Sequence, residues 1–107
     1  MALSLTERQN RLPCFEGSYT VDDDTSDYLI LPSMPARKIS VSVIPGANTG
    51  KVQYTISPIA DVVAGSATWF DWASGAVGSN TVDYLDAPVQ ALRFVASGGE
   101  VTFEVLI

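Results

Sequence analysis

The chain contains no histidine and a single cysteine, Cys14, and its six lysines and arginines are outnumbered by twelve aspartates and glutamates in 107 residues. Without histidine there is no Ser-His-Asp triad, no Cys-His dyad and no histidine-ligated metal. One cysteine allows neither an internal disulfide nor a Cys-x-x-Cys site. Cys14 also lacks a histidine to activate it, so it reads as a packed thiol and not as a nucleophile. A formal net charge of −6 argues against DNA or RNA as a partner, because that affinity rests on basic groups facing phosphates. No apolar stretch approaches the roughly 20 residues of a membrane span. The first ten residues lack the basic start and apolar run of a secretory signal. The expectation is a soluble chain made in the cytoplasm, without membrane contact.

What is present suits one globular domain. Hydrophobic residues make up 47% and charged residues 17% of the sequence, enough apolar material for a core. The charge is uneven. Residues 1–60 carry five bases and six acids, whereas residues 61–107 carry one base, Arg93, and six acids. The acidic half either keeps the protein soluble or faces a neutral or basic partner.

Residues 1–14 differ from the rest and are read as an N-terminal arm, with residues 15–107 as the domain proper. The arm holds Leu3, Leu5, Glu7, Arg8, Arg11 and Leu12. Thr6 followed by Gln9 makes a weak capping box, so a helical turn and an extended arm are both open. From Phe15 onward the pattern is β. Residues 15–21 form a first strand candidate, and the acidic run Asp22-Asp23-Asp24-Thr25-Ser26-Asp27 forms a loop. In 38–43 the apolar residues fall at odd numbers and in 51–57 at even numbers, the period of a strand with one buried face. The turn formers of 45–50 lie between them. This predicts a hairpin with Val43 opposite Val52, Val41 opposite Tyr54 and Ile39 opposite Ile56. A second hairpin is predicted at the end of the chain. Gly98-Gly99 supplies the turn, placing Phe94 opposite Phe103, Leu92 opposite Val105 and Arg93 opposite Glu104. Between the two pairs, residues 57–64 are a helical turn or a loop closed by Gly65, and 67–72 and 81–85 are short strands. Short strands separated by turn signals predict an all-β fold: a single antiparallel β-sandwich, jelly-roll-like or a small barrel.

Candidate chemistry is sparse. The acids fall mostly in turns, where aspartate is common for conformational reasons, and no spacing marks a glycosidase pair. The loop 22–27 has oxygens for a hard cation but not the EF-hand spacing, and a solvated acidic loop is the simpler reading. No cofactor is expected. The most unusual local feature is Trp69-Phe70-Asp71-Trp72. If extended, Phe70 and Trp72 share the core face, and Trp69 either shields an edge or stands out as an anchor for a sugar ring or a neighbouring subunit.

The order of these features carries a resemblance. Val52-Gln53-Tyr54-Thr55-Ile56-Ser57-Pro58, then 67–72, a glycine-rich loop, Pro88-Val89-Gln90-Ala91-Leu92-Arg93-Phe94, then Ser97-Gly98-Gly99 and a final apolar strand resemble small accessory virion proteins of tailed bacteriophages. The likeness covers residues 38–107, with Trp69, Trp72, Pro88 and Arg93 as its matching positions. It implies a β-sandwich that sits on a particle and is not an enzyme: a capsid decoration or cement protein binding between shell subunits and stabilising the head. A tail or neck component and a carbohydrate-binding module on the particle surface are the alternatives. The implied partners are the major capsid protein or other virion subunits, in a homo-oligomer or symmetric array, and the implied location is the virion. Expected contact residues are Leu3, Leu5, Arg8, Arg11 and Trp69.

Overall fold

Three aromatic rings stacked near-parallel mark the centre of the protein. In the computed structural model, which describes residues 2–7, 15–32, 38–85 and 89–107, the Phe94 ring lies 4.8 Å from that of Phe103 and 5.6 Å from that of Tyr19. Each ring comes from a different strand, and the stack spans two packed sheets. Around it Leu29, Val41, Val43, Val52, Leu92, Val101 and Val105 are buried, with Trp72 at one margin.

Among the described residues, the sheets are built from nine strands. β1 (Thr6–Glu7), β2 (Phe15–Asp22), β4 (Ile39–Ile44), β7 (Thr81–Leu85) and β9 (Glu100–Leu106) form one sheet in the order β1-β2-β9-β4-β7. β3 (Leu29–Ile30), β5 (Thr49–Thr55), β6 (Phe70–Asp71) and β8 (Ala91–Ser97) form the other in the order β3-β8-β5-β6. All strand pairs are antiparallel. β2 pairs with β9, β3 with β8, β4 with β7 and β5 with β6. Nested pairs of this kind are the wrapping of a jelly roll, in which the chain alternates between two sheets. The predicted all-β sandwich is what the chain forms.

That alternation overturns both predicted hairpins. β4 pairs with β7 and β9, not with β5, and β8 pairs with β3 and β5, not with β9. The buried faces are as the alternation predicts, except that Ile56 is exposed. The error lies in the neighbour: a period-two pattern says which face is buried, and apolar residues meet equally well across the two layers as across a ladder. Phe94 and Phe103 do touch, but through the core. Arg93 and Glu104 lie on opposite outer surfaces, because their strands belong to different sheets. Both intervening turns are crossovers. Gly46 (φ +61°), Gly98 (φ +92°) and Gly99 (φ +154°) need the glycine backbone. The Asn48 amide donates to the Glu100 carbonyl at 3.1 Å, locking the two crossovers together.

The residues 57–64 resolve as a helix, α1 (Ile59–Ala64), closed by Gly65 in the left-handed conformation. The strand predicted over 67–72 shrinks to β6. The arm is extended where it is described. β1 adds to β2, and Leu3 forms a bridge to Leu29. Tyr19 folds its ring over Gly17, where a Cβ would collide with it, and its hydroxyl donates to the Ser4 carbonyl. No helix among the described residues is long and apolar enough to cross a membrane.

Candidate functional site

A sandwich has two outward faces, and here they differ in chemistry. On the four-stranded sheet, the ladder register places Asp71 of β6, Gln53 of β5 and Arg93 of β8 in one row. Their side chains join up. The Arg93 Nε–H donates to the Gln53 amide oxygen at 2.6 Å, and the Gln53 amide nitrogen donates to Asp71 at 2.8 Å. Lys51 stands 3.5 Å from the same carboxylate. The Gln53 hydrogen bond, with help from the nearby Lys51 charge, holds the Asp71 carboxyl below its usual range. Burial lowers Arg93 against the opposing pull of Asp71, and the guanidinium stays charged at any ordinary pH. Trp69 closes the row, with Arg93 over its ring at 4.6 Å. Trp69 is therefore half-buried, engaged on one side by the protein's own arginine. Of its neighbours, Trp72 is buried and donates its indole N–H to the Gly75 carbonyl at 3.0 Å. Phe70, expected in the core, is 49% exposed. β6 is a short edge strand beside Tyr54, whose ring lies 6.0 Å away, so Phe70 caps the sandwich margin instead of entering it.

The outer face of the five-stranded sheet is different. Its rows run Glu16–Leu106–Ser40–Tyr84 and Ser18–Glu104–Ser42–Val82 across β2, β9, β4 and β7. Ser18, Ser40 and Ser42 are too short to cover the backbone. They leave an open trough of about 660 Å³, walled by Thr6, Glu16, Val82, Glu104 and Leu106. Apolar side chains crowd this face: Val82 is 73%, Tyr84 54% and Leu106 48% exposed. Isolated exposed apolar residues are ordinary; here three share one sheet face. Among the described residues, the trough lining holds two carboxylates and no base. Glu104 accepts from the Ser42 hydroxyl at 2.8 Å. Lys38 lies at the rim, 4.7 Å from the Tyr84 ring centre.

None of these trough residues stands out in the sequence. In Thr81-Val82-Asp83-Tyr84-Leu85, the register turns Val82 and Tyr84 outward. Thr81, Asp83 and Leu85 line up with the buried Val43, Val41 and Ile39. Asp83 is tolerated on that side because Ser74 donates to it at 2.7 Å and the Tyr84 amide at 2.8 Å, which also lowers its pKa. The usable signal is that Asp83: a carboxylate at the centre of an apolar strand marks an edge strand, whose polar side chain turns inward.

The remaining expected contact residues fall in two groups. Leu3 and Leu5 are partly buried and pack against the protein's own core. Arg8 and Arg11, together with Cys14 and Pro88, lie outside the described residues. The acidic loop is docked along β8. The Asp23 carboxylate accepts from the Gly98 amide at 2.9 Å, and Thr25 forms a bridge to Val95. Asp23 takes the left-handed conformation (φ +46°) to do so. No group of three or more potential metal ligands occurs among the described residues. No family model matches the chain, and no curated protein matches it significantly.

Proposed function

We propose that the protein is a non-catalytic structural subunit of a tailed-phage virion, a decoration protein that binds the head shell between its subunits. The observation that carries this reading is the group of exposed apolar residues, Val82, Tyr84 and Leu106, on the outer face of the five-stranded sheet. A folded chain keeps such a surface where another protein covers it. The jelly-roll wrapping supports the reading, since viral shell components recur on that architecture, though fold alone assigns no function. The layout of residues 38–107 that resembles accessory virion proteins points the same way. Binding works by burial of this face, and weak contacts repeated by the shell's symmetry add up to firm attachment. The test is reconstitution. Purified protein mixed with shells assembled without it is expected to cosediment and to saturate at a fixed ratio to the shell protein. Failure to bind, or binding without saturation, contradicts the assignment.

A further inference from the structure

Of the edge strands among the described residues, β1, β3 and β6 have two residues each and β7 has five. β7 is thus the edge long enough to template another strand. In an antiparallel ladder, alternate residues turn their backbone groups to opposite sides of the strand. The Tyr84 amide donates to the Asp83 carboxylate at 2.8 Å, so it points away from β4, toward the open edge. Val82, two residues earlier, points the same way. A second copy of this chain fits that edge antiparallel, about a two-fold axis through Asp83. Backbone hydrogen bonds then join Val82 to Tyr84 of the second copy, and the reverse. On the outer face valine stands opposite tyrosine, a favourable cross-strand pair. The one mismatch is at the centre, where Asp83 meets its own copy. There the Cα atoms lie about 4.5 Å apart with side chains at their closest, and like charges directly opposite are destabilising. Nothing beside Asp83 offsets its charge. β4 and residues 72–80 carry no charged side chain, and Lys38 lies on the outer side against the Tyr84 ring. Asp83 is held instead by the Ser74 hydroxyl and the Tyr84 amide.

We infer that β7 is a self-complementary pairing edge kept shut by Asp83, and that loss of this one charge lets two copies join β7 to β7 in that register. The carboxylate acts twice: its charge excludes the second copy, and its oxygen covers the Tyr84 amide that the second copy needs. Its hydrogen bonds hold the Asp83 carboxyl below the ordinary 3.8, so the edge is shut at neutral pH and opens only in acid. The two-fold axis stands perpendicular to the sheet, which leaves Val82, Tyr84 and Leu106 of both copies on one side. Edge pairing is therefore separate from burial of the outer face and does not depend on the shell-binding reading.

Asp83→Thr, which replaces the charge with a good strand former, tests this by analytical ultracentrifugation at pH 7. The variant is expected to dimerise with a dissociation constant at least tenfold below that of wild type. Amide hydrogen exchange locates the contact. In the dimer the Val82 and Tyr84 amides are expected to slow at least tenfold, with those of Thr6 and Glu7 at the opposite edge unchanged. Adding Val82→Pro removes an outward amide without touching the bonds to β4 and is expected to restore the monomer. Near-UV spectra matching wild type establish that the variants are folded. Wild type itself, acidified below pH 3.8 and still folded by the same spectrum, is expected to dimerise with the same two amides protected. An Asp83→Thr variant as monomeric as wild type overturns the inference. So does a dimer that survives Val82→Pro, protection centred on Ser40 and Leu106 instead of the edge, or a folded wild type that stays monomeric in acid. None of these outcomes bears on binding to shells, so the shell-binding reading stands or falls by its own test.

Discussion

Gly50 shows how tightly single positions are set. It faces the core from β5, and a Cβ there would stand 2.7 Å from Val101 Cγ1, 2.8 Å from Val43 Cγ1 and 3.2 Å from Phe103 Cζ. Those atoms belong to the opposite sheet, so the absence of a side chain is what lets the layers close at this point. Overpacking of this kind forces shifts that cost about 1–3 kcal/mol. Gly50→Ala is expected to lower the urea midpoint by a corresponding amount without changing the slope; an unchanged midpoint would mean the layers give way freely. Thr55 is a polar counterpart. It is buried on the outer side of β5, where its hydroxyl donates to the Thr68 carbonyl at 2.7 Å and accepts from the Ser57 amide at 3.1 Å. Both of its hydrogen-bonding roles are filled, as a buried hydroxyl requires. Neither residue announces its role in the sequence, because each depends on what the fold brings near it.

At the scale of the element, β7 is the informative strand. It is an edge strand, and a long exposed edge invites unwanted pairing. The inward Asp83 counters this, and its charge is held by Ser74 and by the Tyr84 amide. The Ser74 hydrogen bond, and after it that amide, lowers the folded-state pKa of Asp83 below the ordinary value of 3.8. The sign follows from linkage. A carboxyl whose pKa is lowered by folding stabilises the protein above its ordinary pKa. That stabilisation is lost as the pH falls from about that value through the lowered one. Asp83→Asn keeps the shape but removes the charge. The variant is therefore expected to be less stable than wild type at pH 7, with the gap closing as the pH falls below 3.8. Urea titrations at neutral and acid pH check this, and a gap that widens on acidification contradicts it. β7 also carries Val82 and Tyr84 on its outer side, so the residue that protects the edge fixes the orientation that exposes the apolar surface.

At the scale of the whole molecule, alternation made the buried faces of β4, β5, β8 and β9 legible, together with the glycines that turn the chain and the all-β class. The pairing of those strands was not legible. β4 and β5, like β8 and β9, are consecutive but lie in different sheets, and a hydrophobic pattern records burial without recording which layer supplies the neighbour. Trp69 is legible as unusual, but the same error sets its partner Arg93 opposite Glu104 instead of Gln53. The trough was invisible, since it is made by serines and by apolar residues that look like core. These gaps have one origin: the outer surfaces are defined by registers between strands far apart in the chain, such as Ser18 with Glu104 and Ser42 with Val82. The acidic charge also acquires a location. Two carboxylates lie in the trough, whereas Lys51, Arg93 and Asp71 share the opposite face. The two outer faces thus differ in chemistry, with carboxylates and exposed apolar side chains on one and a hydrogen-bonded polar row on the other, the difference on which the proposed shell-binding reading draws. Quantitative mass spectrometry of purified phage particles produced from the genome that encodes this chain tests that account most directly. The expected result is the intact chain present at a fixed ratio to the major shell protein and retained through stringent washing. Its absence from intact particles would contradict the account.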